Sequence, residues 1–190
     1  MASATLMEFL EQYTKEIPPS VQPGVIEDIQ YTRETLNTIT FIARFPHIVP
    51  YADVVSFERS VAKALEAHCI RLEPRYDGKL LTKDCIPELI EMLKRELPIV
   101  NGFLYSADWE WSGDKLHVEL KNGGYPILQK FQFTQTFEKL VQRVFDATLH
   151  ITLHGEDTLS HEALERVIES APPDYEPAPP PPPPAPDRFV

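Results

Sequence analysis

The chain has 190 residues, 43% of them apolar and 25% charged, which is the make-up of one globular domain with additional segments. Its 29 acidic residues against 18 basic ones leave a formal charge of −11, which disfavours a broad electrostatic grip on a phosphate backbone. No basic leader followed by an apolar stretch opens the chain, and no apolar run approaches the roughly 18 residues of a membrane span. The expectation is a protein neither secreted by that route nor integral to a membrane. Two cysteines, Cys69 and Cys85, are too few for a disulfide scaffold or a cysteine-based zinc site, so both are expected as core thiols in a reducing cytoplasm.

In chain order, Leu6, Phe9, Leu10 and Tyr13 are spaced to share one face of a helix in residues 1–20, ended by Pro18 and Pro19. From Val25 the period becomes two. Ile29 and Tyr31, then Ile39, Phe41, Ala43 and Phe45, alternate with polar neighbours and predict two strands joined near Arg33 to Thr35. Val54, Phe57, Val61, Ala64 and Leu65 form a helical stripe, and Ile70 with Leu72 resumes a strand before Pro74. A connecting helix over about Asp84 to Leu97 turns Ile86, Leu89, Ile90, Leu93 and Leu97 inward, with Pro87 tolerated in its first turn and Pro98 closing it. Next come a strand over Tyr105 to Trp111, a Ser112–Asp114 turn, and a strand in which Leu116, Val118 and Leu120 alternate with His117, Glu119 and Lys121. After Gly123 and Gly124, a helix over Thr134 to Ala147 carries Phe137, Leu140, Val141, Val144 and Phe145, and Leu149, Ile151 and Leu153 alternate once more.

The order strand, strand, helix, strand therefore occurs twice, over 25–76 and 84–155. Ser56, Phe57, Glu58 and Arg59 lie 80 residues before Thr136, Phe137, Glu138 and Lys139, and Val61 stands in the same relation to Val141. The expected fold class is α+β, with two quasi-repeated units forming one domain over 25–155. A last helix is expected over 158–170, where Leu159, Ala163, Leu164 and Val167 share a face. Residues 171–190 hold 10 of the 19 prolines and read as a disordered, stiff proline-rich linker, with a docking peptide as the alternative.

Catalytic signatures are missing: there is no phosphate-binding glycine loop, dinucleotide fingerprint, nucleophile elbow, HExxH helix or paired CxxC. No residue is assigned a catalytic, cofactor-binding or metal role. His150 and His154 share a strand face that His117 could join across the sheet, but no acidic orienter is visible, and a solvated face is the expected reading. Asp108 and Glu110 alternate with Trp109 and Trp111, giving a polar face opposite an aromatic one that belongs to the core or an interface. The loop Phe45 to Tyr51 places Ile48, Val49, Pro50 and Tyr51 where no repetitive structure hides them. These four are the candidate protein-contact residues, against a loop that folds down as a lid on the core.

The strings ITFIARFPHIVPYADVVSFERSVAKAL, IRLEPRY and PELIEMLKRELPIVNGFLYSADWEWSGDKLHVELKNGGYPIL, with FLEQYT near the start, resemble the N-terminal region of PolC-type DNA polymerase III alpha subunits of low-GC Gram-positive bacteria. The resemblance covers about residues 7–155, and FPHIVPY, RLEPRY and LPIVNGFL are its most specific parts. It implies that the second half, about Asp84 to Leu153, is similar to the C-terminal domain of the clamp-loader tau subunit, a truncated KH-like module used for protein contact. In that family this region precedes an OB-fold, a histidinol-phosphatase-like domain, a proofreading exonuclease and the polymerase. The proline-rich segment would lead to them, and the chain would end at Val190 before any of them. The family's polymerase aspartates, exonuclease acids and zinc ligands have no counterparts here. The divalent metal such as magnesium belongs to the parent's catalytic domains, and no cofactor is expected in this segment.

The resemblance thus implies a noncatalytic protein-interaction module of a bacterial, cytoplasmic replicative polymerase. Its partner would be another replisome protein such as clamp-loader tau, the helicase or the single-strand binding protein, with no membrane. The alternative is a KH-like single-stranded nucleic-acid binder, for which Asn122, Gly123 and Gly124 supply only a shortened backbone-binding loop, with Lys115, Lys121 and Lys130 nearby.

Overall fold

Alternating side chains with a β-branched and aromatic bias build β1 (Val25–Thr32) and β2 (Thr38–Phe45), an antiparallel pair, and β3 (Cys69–Tyr76) lies parallel to β2. A parallel neighbour cannot be reached by a tight turn, and helix α2 (Tyr51–Ala64) makes the crossover. The computed structural model describes residues 4–14, 16–32, 38–67, 69–104 and 106–155. The second sheet has the same plan. Strands β4 (Asp108–Ser112) and β5 (Lys115–Leu120) are antiparallel around the Gly113 turn, and β6 (His150–Gly155) runs parallel to β5. Between the two sheets in sequence lies α3 (Ile86–Glu96); α4 (Tyr125–Lys130) and α5 (Phe133–Phe145) cross from β5 to β6. The α+β expectation holds, with two mixed three-stranded sheets in the order β1-β2-β3 and β4-β5-β6.

Three expectations need correction. The N-terminal helix, α1, spans only Leu6–Leu10 rather than residues 1–20; the chain turns at Glu11, and Phe9 and Tyr13 are exposed while Leu6 and Leu10 are buried. What fixes so short a helix is its capping box. Thr5 accepts the Glu8 amide at 3.2 Å, the Glu8 carboxylate takes the Thr5 amide at 2.9 Å, and the Leu6 amide reaches Gly24 O at 2.7 Å. Second, β3 does not stop before Pro74 but runs to Tyr76, because a proline is harmless where no ladder bond is needed. Third, α4 was not visible as a separate helix, although Pro126 behind left-handed Gly124 is a helix-start signal. The hairpin join at 33–37, the helix over 158–170 and the linker over 171–190 lie outside the described residues.

Each crossover helix touches its sheet through a carboxylate. Glu58 on α2 accepts the Leu72 amide of β3 at 2.8 Å, and Glu138 on α5 accepts the Ile151 amide of β6 at 2.9 Å. Both amides point away from the neighbouring strand, and Pro74, two residues beyond Leu72, has no amide to offer on that outer side. Glu58 also holds Arg95 of α3 in a fork of 2.8 and 2.6 Å. Burial opposes a charge on Arg95, but the Glu58 bonds prevail and hold the guanidinium protonated more firmly than usual. One apolar core then spans both sheets, from Leu6 and Phe41 through Phe57 and Leu93 to Phe137 and Ile151. Tyr76 at the end of β3 meets Phe145 of α5 with ring centres 5.3 Å apart, which joins the two halves.

Removing Glu58 leaves Arg95 partly buried without its partner and the Leu72 amide unpaired, whereas removing Glu138 frees only one amide. Urea unfolding is therefore expected to show a loss of about 2–3 kcal/mol for Glu58→Ala and about 1 kcal/mol for Glu138→Ala. Tyr76 supplies a pH signature. Its buried hydroxyl oxygen accepts the Val49 amide at 3.2 Å, and burial raises the phenol above its ordinary value of 10.0. The folded chain holds this proton more tightly than the unfolded one, so the stabilisation is complete below pH 10.0 and is lost as pH rises beyond it. Buried Cys85, likewise pushed up from 9.0, adds an earlier loss of the same sign. Tyr76→Phe is expected to cost about 1 kcal/mol near neutrality and to flatten the decline of stability above pH 10, read by denaturation at stepped pH.

Candidate functional site

The loop singled out as a contact surface is bound down. Val49 is fully buried, Ile48 and Tyr51 are half-buried, and of the four only Pro50 is exposed. As N-cap of α2, Pro50 makes no side-chain cap bond, and the Tyr51 amide behind it is answered by Glu88 of α3 at 2.6 Å. The Tyr51 hydroxyl accepts from Arg95, whose guanidinium carbon lies 4.9 Å from the Tyr51 ring centre. His47 meets Ser20 O at 3.1 Å, and Ser20 donates to Asp53 at 2.6 Å, so residues 18–23 close over the other end of the loop. Tyr51 thereby ties the start of α2 to α3.

The open face of the second sheet carries the charged and imidazole side chains. His117 and His154 stack with centres 6.5 Å apart, and His117 Nδ1 meets the Thr152 hydroxyl; His150 stands at the other end of β6, opposite Lys115. No cluster of three or more potential metal-ligating side chains occurs among the described residues. Asp108 is answered by Lys121 at 2.6 Å, which raises the lysine's pKa. Trp109 and Trp111 take the opposite face. Trp109 meets Phe137 edge to face at 6.1 Å, and Trp111 Nε1 donates to Gly113 O at 2.9 Å. Beside Trp109, a groove of about 550 Å³ runs along α3, lined by Ile86, Pro87, Ile90 and Leu104, with the Lys94–Glu91 pair on its rim.

Of the glycines considered for a nucleic-acid backbone, Gly124 is packed against Phe103. Gly123 and Gly124 are buried with φ of 72° and 93°, and a Cβ on Gly124 would stand 2.2 Å from the Phe103 ring. Gly124 is thus the only residue type that starts α4 against Phe103. Gly124→Ala is expected to cost roughly 2–4 kcal/mol through strain and overpacking, measured as a lowered unfolding midpoint.

Sequence periodicity did not identify the most exposed apolar surface. Met7, Phe9, Tyr13, Ile29, Tyr31 and Phe131 are the large apolar side chains exposed among the described residues, and all but Phe131 belong to α1, its following turn, and β1. The register makes two of them neighbours, and α1 brings a third beside them. Ile29 pairs with Phe41 and Tyr31 with Ile39, the Phe9 ring lies 6.1 Å from that of Phe41, and Tyr13 lies in the turn after α1, its amide on Leu10 O. Exposures are 41% for Phe9, 49% for Tyr13, 41% for Ile29 and 56% for Tyr31. Alternation shows that a strand has an apolar face, not whether another layer covers it. α2 packs chiefly over β3 rather than over this part of the sheet face. Neither a protein-family model, a curated protein nor a solved structure matches the chain.

Proposed function

We infer that the chain is a noncatalytic protein-interaction module, and that its two β-β-α-β units are a quasi-repeat. The single observation that carries the contact reading is the exposed patch of Phe9, Tyr13, Ile29 and Tyr31. Large apolar side chains grouped on one surface are costly to leave in water, and aromatic anchors of this kind are enriched where proteins meet. The repeat is supported by matching connectivity and by Glu58 and Glu138, 80 residues apart, each binding the outward amide of its third strand. Together with the FPHIVPY, RLEPRY and LPIVNGFL strings, this favours the N-terminal segment of a bacterial PolC-type replicative polymerase, cytoplasmic, with its second half KH-like as in the clamp-loader tau subunit. Catalysis and its divalent metal would reside in the parent's other domains.

The single-stranded nucleic-acid reading draws little support, because Gly123 and Gly124 are buried and Lys121 is engaged by Asp108. The test is immobilised full chain presented separately with purified clamp-loader tau, helicase and single-strand binding protein. Retention of at least one is expected; retention of none above a blank matrix overturns the replisome reading. In parallel, labelled single-stranded DNA is expected to show no salt-sensitive binding, whereas affinity falling steeply with salt would establish the rival.

A further inference from the structure

We propose that the chain's own proline tract, residues 179–184, docks as a polyproline helix in the groove between α3 and the edge of β4. Ile86, Pro87 and Ile90 line this groove from α3, and Leu104, Ala107 and Trp109 line it from the segment that leads into β4, around a space of about 550 Å³. The lining is mostly apolar. Trp109 is only half-buried although its ring meets Phe137 edge to face, and proline rings pack on indole surface of this kind.

The backbone of β4 adds hydrogen-bonding groups beside it. The His150 amide bonds Asp114 O at 2.8 Å, which fixes Lys115, His117 and Glu119 as the residues of β5 that bond β4. Their partners Ser112, Glu110 and Asp108 face inward, so the backbone groups of Trp109 and Trp111 point out from the free edge. Neither amide, nor the Trp109 indole N–H, has a hydrogen-bond partner among the described residues. On β3 and β6 the outward amides of Leu72 and Ile151 are instead taken by Glu58 and Glu138. A proline tract, which has carbonyl acceptors and no amide donors, answers such N–H groups.

The exit of the chain from β6 points to this occupant. Gly155 stands opposite Leu120, next to the row formed by Asp108, Glu119 and His154, and therefore at the same end of the sheet as Ala107 and Trp109. Two strand spacings, about 10 Å, separate β6 from β4. Residues 156–178 intervene before the tract and cover roughly 30 Å even at the rise of a helix, so the tether reaches. As a polyproline helix the tract is about 19 Å long, against about 16 Å for α3. Tethering holds it at an effective concentration on the order of mM, so weak docking is enough. Charge agrees. Lys94 pairs with Glu91 and Glu88 binds the Tyr51 amide, which leaves Lys83 on the rim without an ion pair among the described residues, and Asp174, Glu176 and Asp187 flank the tract.

The experiment compares amide NMR spectra of the full chain and of the full-length variant Pro180→Gly/Pro182→Gly/Pro184→Gly, which loses the stiff tract and changes no core residue. The expected differences are confined to α3, β4 and the Trp109 indole N–H, with β1, β2 and β3 unchanged as the control for the fold. A synthetic peptide of residues 178–186 returns those resonances of the variant toward their wild-type positions. It binds the wild type at least tenfold more weakly, because the tethered tract competes. Adding Ile90→Ser to the variant, with folding verified by circular dichroism, weakens the peptide at least tenfold. Identical spectra for wild type and variant overturn the proposal, as do a peptide that leaves α3 and β4 unmoved, equal affinity for wild type and variant, or binding indifferent to Ile90→Ser. A dimer in ultracentrifugation that the proline variant abolishes overturns docking within one chain in favour of exchange between copies. None of these outcomes depends on which partner the exposed patch takes.

Discussion

A carboxylate placed on an outward-facing strand amide is the interaction on which the rest of this structure depends. A three-stranded sheet has two edges for a single central strand, so much of its backbone is left to bond with water or with another chain. Glu58 answers β3, Glu138 answers β6 and Asp28 answers β1. The acidic excess of the composition is therefore partly structural. Glu58 contributes most, because the same carboxylate that takes the Leu72 amide also holds Arg95 and so ties α2, β3 and α3 into one block.

From that block the core extends into the second half. α5 packs on β3 as well as on its own β6, and Tyr76 with Phe145 bridges the halves. Neither sheet encloses a core alone. Each has one helix-covered face, and the single cluster arises because α5 packs on β3 and β6 while α3 packs on α2 and α5. Glu88 adds a second tie by bonding the first amide of α2, so the helix joining the two halves in sequence also sets where the first crossover begins.

The parts of the fold legible in the sequence were those with a strong period and an unambiguous partner. Leu116, Val118 and Leu120 specified β5, and Phe137, Leu140, Val141, Val144 and Phe145 specified α5, because burial on one face leaves its full imprint on the pattern. The same logic misplaced α1, where two buried leucines on a five-residue helix resemble the start of a longer stripe. The exposed patch was hidden for a related reason. Ile29 and Tyr31 alternate as core residues do, and only the position of α2 over β3 shows that α2 does not cover them. The contact residues chosen from the loop, Ile48 to Tyr51, were judged by their lack of repetitive structure. Val49 and Tyr51 are held by partners far along the chain, Tyr76, Glu88 and Arg95, which no local pattern contains, while Pro50 stays exposed.

The connectivity bears on how the molecule assembles. Within each half, every strand pairs with a neighbour no more than one helical crossover away, so sheet formation closes only modest loops. The contacts of β3 with α5 join residues separated by the whole of α3 and β4, and they require both halves to have taken shape. Such an order makes the seam around Tyr76 and Phe145 a late event. Until it closes, each half exposes the apolar surface destined for the other, and synthesis from the N-terminus leaves the first half in that condition until the second emerges from the ribosome.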